Sequence, residues 1–243
     1  MIALFLALLV GSTPAPAAPM GQAITIMAPA VDEDAVSQAL RPITEAIARE
    51  RARQASLPPA DTDSEKLIRM GRLDQIVRIS EQGLDLTHLP VAEANAVRGR
   101  ALGLAHAIDL ENQAALIALA PSARWFTFED YGEEASRAAF YIVQHANVDL
   151  WRIYVPLLEP LVGTGQIDDA QYALMYDRLA INEGRPQRYG SQYTCEGRQS
   201  RLAPLETDEA TVDERRAAMG MVSMADNAKR FEHSNPCQFN AQQ

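Results

Sequence analysis

The sequence predicts an all-α protein, a single bundle-like domain of several helices. Apolar residues recur at helical spacing through most of the chain, as in the series Val36, Leu40, Ile43 and Ile47. No stretch alternates apolar and polar residues in the manner of a strand. Gly and Pro separate the helical segments, and a long polar loop follows the helix that ends near Asn182. These observations favour a helical bundle with one long ordered loop.

The N-terminus predicts a secretory signal peptide over residues 1–17. An apolar run, too short to span a bilayer, is followed by the small-residue sequence Ala15-Pro16-Ala17. No Lys or Arg precedes the run, so a mis-assigned start or an uncleaved anchor is the alternative. Residues 18–31 predict a flexible lead-in. We therefore expect a periplasmic or secreted protein.

The first half of the chain predicts four helices. Their apolar periodicity and the Gly or Pro residues beyond them set their bounds. They run from Asp32 into the Pro-rich linker that closes segment 32–60, from Asp63 to Gly83, from Pro90 to about Leu110, and from Asn112 to Leu119. The main helical domain is expected over residues 61–222, and residues 223–243 are expected to form a C-terminal tail.

The second half predicts four more helices after an aromatic connector around Trp125. The helix from Glu133 to Ala146 is apolar all round at its middle, which is typical of a central buried helix. The next contains Pro156 and Pro160, which predict a kink or two short pieces. The predicted bounds of the last three helices are Leu150 to Val162, Asp168 to Asn182, where Asp168 and Gln171 have capping-box spacing, and Asp208 to Met219.

Charge and motif content exclude several classes of protein. The formal net charge of -10 argues against a general nucleic-acid binder. No second apolar run has membrane length, so we expect no membrane contact after signal cleavage. No P-loop, dinucleotide fingerprint, zinc-protease motif or serine-hydrolase elbow appears. We therefore expect no cofactor and no metal, and an unknown small polar ligand or peptide as the partner.

The two cysteines predict a disulfide. Cys195 and Cys237 would pair in an oxidising compartment and would tie the C-terminal tail to the segment after the polar loop. Two unpaired thiols are the alternative.

Two polar residues lie on apolar helix stripes. His145 shares a stripe with Ala138 and Ile142, so it should face inward. It is either a satisfied core histidine or a general base or ligand contact. Asp177 shares a stripe with small alanines and should be buried with a partner.

The segment Gly184–Gln192 predicts a recognition loop. Gly and Pro set its backbone geometry, and Gln187, Tyr189 and Gln192 add donors and acceptors that a simple connector does not need. A loop of this composition favours a role in binding.

Several motifs, taken in chain order, resemble the bacterial domain-of-unknown-function 6624 family, whose signatures read DQxxR, QHAD and GxPQxYGTQ. The likeness covers about residues 64–222. Asn147 stands where the family has an acid, and Ser191 where it has Thr. The family has no established activity, so the resemblance implies a polar site without its chemistry. The matching positions are Asp74-Gln75-x-x-Arg78, Asp109-x-x-Asn112, Gln144-His145-Ala146, Asp177-Arg178 and Gly184-x-Pro186-Gln187-x-Tyr189-Gly190-Ser191-Gln192.

Three functional interpretations follow from these positions. The first is a hydrolase-like enzyme with His145 as general base, oriented by Asp177 or Asp109. The second is a non-catalytic module that binds a small polar ligand or peptide in the same cleft. The third is a polar network that only fixes the helices. His145 and Asp177 are the candidate catalytic residues, and the candidate ligand-binding residues are Asp74, Arg78, Asp109, Asn112, Gln144, Gln187, Tyr189 and Gln192.

Overall fold

A computed structural model of the chain describes residues 31–120, 122, 124–197 and 199–234. These residues are mostly helical, with one small antiparallel hairpin, so the all-α prediction is confirmed. A short 3-10 helix, Glu159–Leu161, follows the helix that ends at Leu158. The elements are α1 (Glu33–Ala55), α2 (Asp63–Gln82), α3 (Val91–Leu119), α4 (Phe128–Tyr131), α5 (Glu133–Gln144), α6 (Val148–Leu158), α7 (Asp169–Asn182), β1 (Tyr193–Glu196), β2 (Gln199–Leu202), α8 (Glu209–Ala218) and α9 (Met224–Ser234).

Side-chain caps set where several helices begin. The Asp168 carboxylate accepts hydrogen bonds from the backbone N–H groups of Ala170 (3.0 Å) and Gln171 (3.3 Å), in agreement with the spacing in the sequence. Thr62 and Asp208 cap α2 and α8 in the same way. These bonds satisfy N–H groups that the first turn of a helix cannot pair internally.

Several elements differ from the sequence prediction, among them α4, a four-residue helix in the segment predicted as an aromatic connector. α3 is one 29-residue helix where two were predicted, because polar residues near its middle continue the helix and Asn112 is buried against α2. The β1–β2 hairpin has strands of four residues that are largely exposed, so no alternating pattern marks them. α9 lies in the segment predicted as a C-terminal tail.

The largest apolar core joins α5, α6 and α7. Ala139 and Val143 of α5 are fully buried, as the apolar middle of this helix predicts. The connector before α4 contributes Trp125, whose ring meets that of Tyr154 edge-on at a centroid distance of 5.9 Å. Two smaller apolar clusters hold α1 and α2 against α3.

A glycine brings α2 and α5 into close contact. A Cβ placed on Gly71 would lie 2.5 Å from the Cβ of Ala138, which is closer than real side chains approach. Only glycine allows the two helices to pack at this distance. Asp74 lies one turn beyond Gly71, and His145 caps the end of α5. This crossing therefore positions a buried carboxylate beside a histidine.

Several predictions fall outside the described residues. These are the signal peptide at residues 1–17, most of the predicted lead-in, and Cys237, while Cys195 lies in β1. The disulfide and the export of the protein therefore stay predictions. Among the described helices, none combines the length and the apolar character needed to cross a bilayer.

Candidate functional site

His145 contacts a buried carboxylate. Its Nδ1 lies 2.8 Å from Oδ1 of Asp74. The Asp74 side chain is 1% exposed, whereas the His145 side chain is 20% exposed. The side-chain amide of Gln75 donates to the other Asp74 oxygen at 2.8 Å. Asp74 is therefore enclosed between two side chains, and its histidine partner still reaches the surface.

A second carboxylate lies next to this pair. Nη2 of Arg78 donates to both oxygens of Asp109, at 2.6 and 2.7 Å. Ligand atoms from Asp74, Asp109 and His145 all lie within 4.8 Å of one another. We call Asp74, Arg78, Asp109 and His145 the histidine cluster. With both carboxyls ionised, one guanidinium leaves the cluster with a single negative charge, which a proton on His145 or a cation would balance.

The end of α5 is held so that His145 keeps its position. The last carbonyl groups of a helix lack internal partners. Here the Trp151 indole N–H donates to the Val143 carbonyl, and Nη1 of Arg178 donates to the Gln144 carbonyl, both at 2.8 Å. The Arg178 guanidinium also lies over the Trp151 ring, 5.7 Å from its centroid. Burial lowers the pKa of Arg178.

A groove of about 390 Å³ runs along the α2–α5 contact. Gln75 lines it and also donates to Asp74, so this side chain connects the groove to the histidine cluster, whose own four residues are not part of the lining. Tyr141, one turn before His145, lines it as well. Two Arg–Glu ion pairs also line the groove, Arg72 with Glu134 and Arg137 with Glu133. The remaining lining residues are Ile68, Gly71 and Ala138.

Asp177 holds the polar loop by its backbone. This residue is fully buried, and its carboxylate accepts from the backbone N–H groups of Arg188 (2.8 Å), Tyr189 (3.0 Å) and Ser191 (3.0 Å). Burial raises the pKa of Asp177, and the hydrogen bonds from the loop act in the opposite direction. We call Asp177 and these three N–H groups the Asp177 clamp.

Gln187 closes the loop onto the segment after β2. Its side-chain amide donates to the carbonyl groups of Gln192 (3.0 Å) and Ala203 (2.9 Å), and its side-chain oxygen accepts from the Gln192 N–H at 2.7 Å. Gln187 is fully buried, so its polar atoms are used inside the protein. The Gln192 side chain in turn donates to the Ser191 hydroxyl at 2.9 Å.

Arg216 of α8 completes the loop from the other side. Its side chain is 1% exposed, and Nη1 donates to the carbonyl of Tyr189 at 2.6 Å while Nε donates to that of Val222 at 2.6 Å. Burial lowers the pKa of Arg216. The neighbouring Arg215 contacts Glu206 near the surface.

Comparison with known proteins assigns the chain to a family. A sequence model described as a family of unknown function, DUF6624, matches residues 60–237. The chain belongs to the DUF6624 family. The match covers all of α2 to α9 and therefore includes both the histidine cluster and the Asp177 clamp. No curated protein and no solved structure matches the chain.

The motif positions of this DUF6624 chain fall into two groups. One is the histidine cluster with its neighbours Gln75 and Asn112, whose amide donates to the Met70 carbonyl at 3.4 Å. The other contains Asp177, Gln187, Tyr189 and Gln192. The groups meet where Arg178, next to Asp177, donates to Gln144.

The structure also changes the partner expected for His145. Sequence reasoning placed Asp177 or Asp109 beside the histidine, but the carboxylate in direct contact is Asp74, and Asp177 bonds the loop. Sequence reasoning also gave Arg178 no role, although it follows Asp177 in the motif. Adjacent helix residues point in different directions, so one holds the loop and the other holds the end of α5.

Asn147 has a structural task that either amide or acid can perform. Its side chain caps α6 by accepting from the backbone N–H groups of Asp149 (3.1 Å) and Leu150 (3.2 Å). Asn and Asp cap helices about equally well. Asn147 differs from the acid of the DUF6624 signature, but it still caps α6.

Proposed function

We propose that this DUF6624 protein is a hydrolase-like enzyme in which His145 acts as general base and Asp74 orients it. The observation that carries the proposal is the 2.8 Å contact between His145 Nδ1 and Asp74 Oδ1. An ionised carboxylate at Nδ1 fixes the proton on that nitrogen, so Nε2 is free to accept a proton from water or a hydroxyl group. The same carboxylate stabilises the imidazolium that results.

The groove along α2 and α5 is the proposed substrate site. Its size lies within the range of small-molecule sites. Gln75 and Tyr141 supply polar contacts at the end near His145. The two Arg–Glu pairs along the groove balance each other, which suits a neutral or zwitterionic group such as a short peptide better than a strongly charged ligand. If the chain is exported, this substrate would be met outside the cytoplasm.

The polar loop is proposed to act as a scaffold for this site. Gln187 and Asp177 use their polar atoms on the backbone of the loop and of the segment after β2. This pattern supports a positioning role in place of the substrate contact that the sequence predicts for Gln187, Tyr189 and Gln192. The scaffold would act on His145 through the Arg178 bond to Gln144.

The proposal is tested by turnover that depends on His145. Protein treated with EDTA is assayed against p-nitrophenyl esters, p-nitrophenyl phosphate and peptide p-nitroanilides. We expect hydrolysis of at least one class, with kcat/KM about 100- to 10,000-fold lower in His145→Ala, the usual contribution of a general base. Asp74→Asn should also lower kcat.

His106→Ala is the matched control for this assay. His106 is an exposed histidine on α3, one turn before Asp109, so its loss should leave turnover unchanged. The proposal is wrong if no substrate in the panel is turned over faster by the parent than by His145→Ala.

A binding module without catalysis is the second candidate, and the groove favours it. In that case peptides would bind the parent and leave it unchanged after long incubation. Tyr141→Ala, which removes a groove side chain, should then weaken binding of the selected peptide. A screen that yields neither ligand nor product, together with a stability loss in His145→Ala, would support the purely structural interpretation.

A further inference from the structure

We propose that the histidine cluster binds one divalent transition-metal ion of the Zn²⁺ or Mn²⁺ class through Asp74, Asp109 and His145. The inference concerns the side chains of the proposed function in a second, ion-bound state, which the EDTA-treated protein of that assay lacks. The three residues come from α2, α3 and the end of α5, so they are carried by three separate helices. Each offers one ligand atom, and these atoms lie within 4.8 Å of one another.

The spacing of the ligand atoms suits a single ion after a small contraction. Nitrogen and carboxylate oxygen bind Zn²⁺ at about 2.0 to 2.2 Å, so two ligands of a tetrahedral ion are about 3.4 Å apart. The Nδ1–Oδ1 distance between His145 and Asp74 is 2.8 Å and would open slightly. The wider separations, at most 4.8 Å, would close by an amount that side-chain rotation can supply. Three protein ligands would leave a fourth position for water.

Charge also favours a cation at this position. Two carboxylates face one guanidinium, and the Asp74 side chain is 1% exposed. A buried negative charge without a counter-charge is costly. A divalent ion would change the net charge of the cluster from −1 to +1, and a hydroxide in the fourth ligand position would bring it to zero. Arg78 does not block the site, because a carboxylate oxygen that accepts a hydrogen bond has a second lone pair for a metal.

In the described part of the chain, Arg78 contains one buried donor that lacks an acceptor. Nε of Arg78 is buried and has no hydrogen-bond partner among the described residues. An unpaired buried donor is unfavourable. A hydroxide ligand on the ion would have a lone pair for such a donor, whereas a neutral bound water would not.

The mixed ligand set selects the class of ion. Ca²⁺ and Mg²⁺ prefer sites made of oxygen ligands, whereas an imidazole with two carboxylates suits borderline ions. The ion would replace the His145–Asp74 contact and would activate water directly, a task otherwise left to the histidine. The environment of the His145 ring nitrogens should therefore differ between the ion-bound and the ion-free protein.

Isothermal titration calorimetry tests the proposal. ZnCl₂ is titrated into the full-length protein after EDTA treatment and dialysis, and the parent should bind one ion with a dissociation constant of about 10 μM or tighter. His145→Ala and Asp109→Asn should each weaken binding more than about 10-fold. His106→Ala should bind as the parent does. Circular dichroism identifies any variant that is not folded.

A measurement on the parent alone covers the case in which a variant does not fold. On addition of Zn²⁺ the ring ¹⁵N signals of His145 should shift, while those of the exposed His88 and His106 stay in place. The inference is overturned if no saturable binding is seen below about 1 mM. It is equally overturned if His106→Ala weakens binding as much as His145→Ala, because the ion would then be elsewhere.

The two proposals can fail separately. If Zn²⁺ does not bind but the EDTA-treated protein shows His145-dependent hydrolysis, only the metal inference is wrong. If Zn²⁺ binds as described and the substrate panel shows no turnover with or without Zn²⁺, only the proposed hydrolase function is wrong.

Discussion

The histidine cluster and the Asp177 clamp both bury an aspartate, but they satisfy it with different groups. Asp177 accepts from three backbone N–H groups, which carry no charge and cannot change their protonation. Asp74 is paired with the side chains of His145 and Gln75, which can turn, and the first of which can gain or lose a proton. A buried acid held by backbone donors is suited to fixing structure, whereas one paired with a titratable side chain is available for chemistry.

The two regions also differ in how far apart their partners lie in the chain. The clamp joins Asp177 to residues 11 to 14 positions later. The contact between Asp74 and His145 spans 71 positions and depends on the crossing of α2 and α5. The clamp is therefore a local device, and the cluster depends on the packing of helices.

Removal of the clamp carboxylate is expected to have the largest effect on stability. Asp177→Ala leaves three backbone N–H groups without their acceptor, two of them buried and that of Arg188 half-buried. A buried group of this kind costs about 1 to 3 kcal/mol. We expect the free energy of unfolding to fall by about 3 to 5 kcal/mol, because part of this cost is relieved by local rearrangement. Urea denaturation followed by far-ultraviolet circular dichroism measures the change.

Asp149→Ala is the matched control for the clamp. Asp149 is an aspartate on α6 with a 78% exposed side chain, and its ion pair with Arg152 is a surface pair. Its loss should change stability by less than about 0.5 kcal/mol. A loss below about 1 kcal/mol for Asp177→Ala would contradict the scaffold role of the clamp.

An intermediate effect is expected where the cluster depends on packing. Gly71→Ala would place a methyl group 2.5 Å from Ala138 and force α2 and α5 apart. Overpacking of this kind costs about 1 to 3 kcal/mol. The same substitution should reduce His145-dependent hydrolysis or Zn²⁺ binding, because Asp74 lies one turn away.

The double variant Gly71→Ala with Ala138→Gly shows whether the clash is the cause. It removes the nearest atom, although the Ala138 Cα remains 3.0 Å from the added methyl. Chemical denaturation of both variants should therefore show partial recovery in the double variant. Equal stability of Gly71→Ala and the parent would mean that this crossing does not position the cluster.

The smallest effect on stability is expected at Asn147. Substitutions there test whether this motif position takes part in the reaction or only supports the fold. Asn147→Ala removes the cap of α6 and should cost about 1 kcal/mol, whereas Asn147→Asp should lie within about 0.5 kcal/mol of the parent. Thermal unfolding of both variants provides the comparison. A change in His145-dependent turnover in Asn147→Asp without a change in stability would instead place the residue with the histidine cluster.

Local signals predict much of the fold. The Asp168 cap, the buried middle of α5 and the enclosed Asp177 follow from helical spacing and capping chemistry, which involve residues close in sequence. The continuity of α3 is not visible in the same way, because polar Asn112 interrupts the apolar pattern and its burial depends on α2. The exposed strands of the hairpin also lack a pattern that marks them.

The candidate site is less predictable for a related reason. That His145 faces inward follows from its stripe on the helix, but the identity of its partner does not. Asp74 reaches the histidine because Gly71 and Ala138 allow two helices to touch, and no spacing rule within one helix reports on a contact between two. The order of the family motifs therefore indicates which residues matter, whereas the pairing of those residues depends on the three-dimensional packing of the helices.

The bonds of Arg216 have a consequence for how the chain is made. The carbonyl of Tyr189 receives its hydrogen bond from a side chain 27 positions later, and Gln187 bonds a carbonyl 16 positions later. When residue 192 has just emerged from the ribosome, the whole loop has been synthesised, but Arg216 and the Ala203 carbonyl, which complete its hydrogen bonds, have not yet emerged. The loop can therefore reach its final conformation only after α8 has been synthesised. A chain truncated before α8 would contain the loop motif but would lack the Arg216 hydrogen bond to Tyr189.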